Sequence, residues 1–292
     1  MDCAWAMRIL TITRNCARTC CCKVRWSAIR GWHRARLYAG WGNRASKTTA
    51  WAVHEVIVEQ FIASFAQAPG ELILDFDATD DPVPGHQEGR FFHGYYDAYC
   101  FLPLYIFCGE QLLVSYLRPA KIDAAKHARA ILALLVSRLC PAWPRVRLIM
   151  RADSGFCRHK MLSWCERHGM YYVVELAKNA RLNAMSAPAR EQLAERFARC
   201  HVKQRMFVEL KYAVRQLAGQ RSVVARLEHS DKDDNPRYIV TNLEQPRNSL
   251  YEQCYCGRGE MENRIKEAQL GLFADRTQNQ CICNDWCNMR AP

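Results

Sequence analysis

"RVRLIMRADSGF", residues 145–156, runs a short apolar stretch (Leu148, Ile149, Met150) into an aspartate and a Ser-Gly turn. A run this short, bounded by turn formers, is the pattern of a buried strand with Asp153 at its carboxyl end. A helix over 158–167 and a second strand, "YYVVELA" at 171–177, follow. Together they predict a strand–helix–strand unit with parallel strands. In such sheets ligands bind beyond the carboxyl ends of the strands, so an acid placed there is a candidate functional group.

The same pattern lies upstream in "ELILDFDATDDP", residues 71–82, where Leu72, Leu74 and Phe76 alternate with Ile73, Asp75 and Asp77. This predicts a strand with acids at its end. Before it, Val53, Ile57, Phe61 and Phe65 recur every four residues, an amphipathic helix over 51–66. Residues 91–117 read as two strands of an antiparallel meander, and 123–140 as a helix from Asp123 to the stop at Pro141. After a helical patch near 188–200, "RMFVELKYAV", "SVVARL" and "RYIVTN" form a strand-rich insertion at about 201–245. The expected class is α/β: a mixed sheet with flanking helices.

The chain of 292 residues is 50% hydrophobic, a globular composition. Its net charge of +12 points to a polyanionic partner. The first fifty residues hold ten Arg or Lys against Asp2, so +9 of that charge lies there and +3 in the rest. That segment, 1–48, reads as a basic leader, either an arm lying on DNA or a stretch with no evolved fold. The sixteen cysteines make no paired CxxC spacing. No apolar run reaches the length of a membrane span or a signal peptide, so the expected location is the cytoplasm, with no membrane partner.

Asp77, Asp153 and Glu262 form the candidate acidic set. Carboxylates brought together repel one another and favour protonation, a conflict that a hard divalent cation relieves. Each acid also has a bland reading: Asp77 and Asp153 as turn formers or caps, Glu262 as a surface partner of Lys266. In "YCGRGEMENRIKE", residues 255–267, Tyr255, Arg258 and Lys266 lie at −7, −4 and +4 from Glu262, one helical stripe. Met261, Ile265, Ala268 and Leu272 make the adjacent apolar stripe. Gly257 and Gly259 leave the first turn open to a loop reading.

These stretches, with "LDFDATDDPVPGHQEGRFFHGYYDAYCFLPLYIFCGEQLL" and "YCGRGEMENRIKEAQLGLFADRT", resemble the DDE transposases of bacterial insertion sequences, group 1, with a Tyr-Arg-Glu signature. The resemblance runs from about 50 to 277. It implies a ribonuclease-H-like fold over 49–277, with the β-rich insertion before the last catalytic helix and an irregular tail at 278–292. It further implies Asp77, Asp153 and Glu262 as the catalytic acids and metal ligands for Mg²⁺ or Mn²⁺, two ions. Tyr255 and Arg258 match DNA-phosphate contacts; the signature's later basic residue falls on Gln269, with Lys266 as its substitute. The implied partner is double-stranded DNA, element ends and target, bound by a homodimer in a synaptic complex. Divergent termini lead to the expectation of a truncated remnant. A non-catalytic DNA-binding relic and a stand-alone metal-dependent nuclease are the alternatives.

Overall fold

The structure, a computed structural model, describes residues 47–272 apart from 84, 85, 87, 88, 214–219 and 232. The leader up to residue 46 and the 278–292 tail lie outside the described residues. In chain order the elements are α1 (Lys47–Ala63), β1 (Glu71–Ala78), β2 (Asp81–Pro82), β3 (Phe91–His93), β4 (Ala98–Phe101), β5 (Leu104–Cys108), β6 (Gln111–Tyr116) and α2 (Ala128–Ala142). Then come β7 (Arg147–Ala152), α3 (His159–Arg167), β8 (Tyr171–Leu176), α4 (Ala180–Cys200), β9 (Gln204–Ala213), β10 (Gln220–Ser230), β11 (Asp233–Asp234), β12 (Arg237–Thr241) and α5 (Gly259–Leu272). No helix among the described residues is long and apolar enough to cross a membrane. The described residues divide into two compact units, one of residues 70–76 and 147–260, the other of 47–69, 77–146 and 261–272.

The unit containing 147–260 is built on a mixed sheet. β1 pairs parallel to β7 and β7 parallel to β8, with α3 as the crossover, as the sequence predicts. Leu74 pairs with Met150 and Ile73 with Ile149; Leu74 and Ile149 are both buried. Every residue of β7 from Leu148 to Ala152 is buried, as is β1 from Leu74 to Ala78. Both faces are therefore covered, and the alternation in β1 does not mark a solvent face. The strand-rich segment is no detached module: β12 pairs antiparallel to β8, and β10 to β12, so it continues the sheet.

That extension is locked by one polar cluster. Arg221 of β10 donates from Nε to Glu166 of α3 at 2.8 Å and from Nη2 to Ser163 at 3.0 Å, while the Tyr172 hydroxyl donates to Glu166 at 2.7 Å. α4 begins at Ala180 rather than near 188, capped by the Asn179 side chain accepting from the Leu182 amide at 3.0 Å. Pro188 lies inside it. Proline favours the first helical turn, which is why a reading from sequence starts the helix too late.

In the other unit, α1 buries Ile57 and Phe61; Ile57 joins Tyr105, Phe107 and Leu112 of the β5–β6 hairpin and Met261 and Ile265 of α5, and Phe61 packs edge-on to Trp143. Phe65 packs edge-on to Trp143. Residues 91–117 hold four strands, not two: β3 and β4 form a hairpin in a small sheet with β2. The turn at 94–97, with Asp97 at φ 50°, splits the first expected strand.

α2 starts at Ala128, five residues after Asp123, and Pro141 sits within its last turn. Arg118 supplies the reason. Fully buried, it donates to the carbonyls of Leu102 at 2.9 Å, Ala124 at 2.9 Å and Lys126 at 2.7 Å. Carbonyls held by a guanidinium are withdrawn from a helical ladder, so 123–127 stays a turn. Burial brings the Arg118 pKa down to about 10.

Hydrogen bonding from Arg221 is the main cause that holds the Glu166 carboxyl below its ordinary 4.5, against opposing burial. The pair's contribution to stability is thus present above that value and lost as pH falls through the lowered folded value. Glu166→Gln is expected to be less stable than the wild type at neutral pH, with the gap closing as pH falls below the ordinary carboxylate value, read from urea unfolding across pH.

Candidate active site

β7 carries the site's centre. Arg151 is 7% exposed and lies directly opposite Asp75 in the parallel pairing with β1. It grips both Asp75 oxygens, Nε on one and Nη2 on the other at 2.7 Å, and its Nη1 donates to the Cys254 carbonyl at 2.5 Å. Burial alone would push this guanidinium down, but the bonds and charge attraction to Asp75 hold it above its ordinary value. Burial is the main influence on the Asp75 carboxyl and raises it.

The Cys254 contact shapes the segment ahead of α5. Residues Ser249–Tyr255 form a π-helical stretch and Cys256–Arg258 one 3₁₀ turn, and the regular helix begins at Gly259. Tyr255 and Arg258 therefore leave the single α-helical stripe that spacing predicts for them with Glu262. Gly257 is needed here: a Cβ on it would lie 2.6 Å from Nη1 of Arg151. The apolar stripe behaves as expected, with Met261 and Ile265 buried; the side chains of Ala268, Gln269 and Leu272 lie outside the described residues.

Asp153 follows β7 directly and caps the next turn, accepting from the Gly155 amide at 2.8 Å. Arg258 approaches its carboxylate at 3.7 Å. Burial raises the Asp153 pKa, Arg258 and the Gly155 amide oppose it, and Glu175 adds to the rise. Glu175 was not singled out by sequence reasoning. It sits on β8 one position beyond the Ala152–Val174 pair and accepts from Arg237 at 3.1 Å. The signal was available, since "YYVVELA" is another strand ending in an acid. Tyr255 packs on Tyr251 with ring centroids 5.4 Å apart. Burial, with the Glu175 charge and a hydrogen bond to it, pushes the Tyr255 phenol up.

Asp77 is buried at the end of β1 and accepts from the Ala78 amide at 3.0 Å. Glu262 and Lys266 are exposed on α5. Asp77 and Glu262 belong to one compact unit and Asp153 to the other. In kind, three carboxylates suit a hard divalent cation. Among the described residues, however, no group of three or more His, Cys, Asp or Glu is assembled to hold a metal ion.

A family model described as transposase DDE domain, group 1, matches residues 35–288. The chain belongs to that family. The match reaches further at both ends than the stretch from about 50 to 277 on which the resemblance was read. A search of curated proteins finds no match. Membership in the DDE domain family implies transposase function with DNA as the substrate.

Because Arg151 is pinned on three sides, it cannot swing away from an added methyl group. Gly257→Ala is expected to cost about 1–3 kcal/mol of stability by overpacking, measured by denaturant unfolding; the wild-type value would show that the close approach is not a constraint.

Proposed function

We propose that this DDE domain, in a ribonuclease-H-like arrangement, cleaves phosphodiester bonds at insertion-sequence ends and transfers the freed strand to target DNA. The observation that carries the reading is Asp153, at the carboxyl end of a parallel strand with Arg258 beside it at 3.7 Å. An acid and a cation so placed suit a phosphate and its counter-ions. Asp77, Asp153 and Glu262 would hold Mg²⁺ or Mn²⁺, two ions. The chemistry such ions supply when bound is Lewis-acid polarisation of the phosphoryl oxygens.

The chain's own groups have distinct tasks in this reading. Arg258 balances Asp153 and offers its fork to a phosphate oxygen. Tyr255, with its hydroxyl on Glu175, orients that acid and backs the segment with its ring. Lys266, exposed on α5, contacts the DNA backbone. The partner is double-stranded DNA, held by a homodimer that pairs element ends, in the cytoplasm.

A second reading, a DNA-binding relic without catalysis, rests on the net charge of +12, which suits a polyanion whether or not the acids act. Nicking of supercoiled plasmid in Mg²⁺ or Mn²⁺ separates the two. Asp153→Ala is expected to lower nicking about a thousandfold or more, the loss of several kcal/mol of transition-state stabilisation. Nicking undiminished by that change would remove Asp153 from catalysis, and DNA binding without any nicking in the wild type would favour the relic. Joined strand-transfer products distinguish the transposase from a nuclease that only cuts.

A further inference from the structure

Five large hydrophobic side chains stand exposed among the described residues, and three of them, Phe92, Tyr95 and Tyr99, belong to the single β3–β4 hairpin. The hairpin has two unlike faces. On one, Phe91 pairs across to buried Cys100, and the Lys121 ammonium covers the Phe91 ring at 4.3 Å. On the other, Phe92 and Tyr99 are direct cross-strand partners, 53% exposed each, with ring centroids 5.6 Å apart in an edge-on pair. The Arg90 guanidinium lies 4.5 Å from the Tyr99 ring centroid, and Tyr95 at the turn is 86% exposed.

An exposed aromatic pair can serve a hairpin simply by packing across the strands, a contribution of modest size. That role does not explain Tyr95, which as the most exposed of the three covers little of the fold. Nor does it explain the hairpin's attachment. Tyr96, the next residue, donates its hydroxyl to the Ala78 carbonyl at 3.2 Å, and Ala78 is the neighbour of Asp77. The aromatic surface is thus tied to the strand end that bears a candidate catalytic acid.

We infer that the β3–β4 hairpin is a stacking platform for unpaired DNA bases next to the phosphodiester that is cut. Rings of Phe92, Tyr95 and Tyr99 meet the base faces, and Arg90 meets the backbone charge. Every base has a π-face, so such a surface selects unpaired strand over duplex and is indifferent to sequence. In a duplex the base faces are stacked on one another and closed to the protein. The inference rests on the DNA-cleaving reading, but it specifies where the strand beside the cut is held, and its test needs no catalysis.

The full-length protein, with EDTA present to prevent cleavage, is titrated by fluorescence anisotropy with a labelled oligothymidylate and with a duplex of equal length. Tyr95→Ser and Phe92→Leu are each expected to weaken single-strand binding about 5- to 100-fold, with duplex binding changed less than about twofold. Phe92→Trp should bind the single strand at least as well as the wild type. Urea unfolding confirms that each variant is folded; Tyr95→Ser, at a solvent-exposed turn, decides the matter if Phe92→Leu is not. Absence of single-strand binding by the wild type, unchanged affinity in the folded variants, or equal loss on both forms of DNA overturns the inference. Asp153→Ala separates the two proposals: it should abolish nicking and leave single-strand binding intact, so failure of the catalytic reading leaves the binding result standing, and the reverse.

Discussion

A guanidinium sealed inside a protein has to find acceptors for its donors, because an unpaired buried charge costs several kcal/mol. Arg151 meets that demand in a way the surrounding structure depends on. Its fork closes on Asp75 of the neighbouring strand and its third contact on the Cys254 carbonyl. Since Asp75 and Arg151 are register partners, a slip of one residue would strand both charges in the sheet. The pair therefore specifies the alignment of β1 on β7 over residues 71–76. The remaining contact draws the backbone of 254–257 inward, leaving room only for glycine at 257.

From that anchor the charges at the end of β7 and β8 acquire their character. Asp153 is raised first by burial and then by the like charge of Glu175, while Arg258 pulls the other way. Arg237 attends Glu175 at 3.1 Å. A buried carboxylate gains more than an exposed one from a neighbouring cation. The Arg258 contact is the protein's own partial answer.

Much of this was legible along the chain. The apolar run before Asp153, the helix after it and the strand "YYVVELA" are local patterns, and the sheet reproduces them with parallel pairing. Met261 and Ile265 obey helical spacing and are buried. Where local reading failed, a side chain from outside the segment had intervened. Arg118 holds the carbonyls of Ala124 and Lys126 and delays α2; Arg151 holds that of Cys254, and residues 249–258 depart from the regular helix, the alternative that Gly257 and Gly259 leave open. Pro188 misleads for another reason, since proline fits a helix start better than the interior it occupies in α4.

By itself, the sequence determined the kinds of element, the family, and the fact that acids terminate β1 and β7, because periodicity and turn chemistry act over a few residues. Only the tertiary structure decided which charges meet. Arg151 reaches 76 residues to Asp75 and 103 residues to Cys254, and no spacing rule spans such distances. Likewise "FFHGYYDAYCF" reads as strand without saying which rings face water. Burial is a property of the assembled sheet: neighbours brought from elsewhere cover Cys100 and Phe101 and leave Phe92, Tyr95 and Tyr99 exposed.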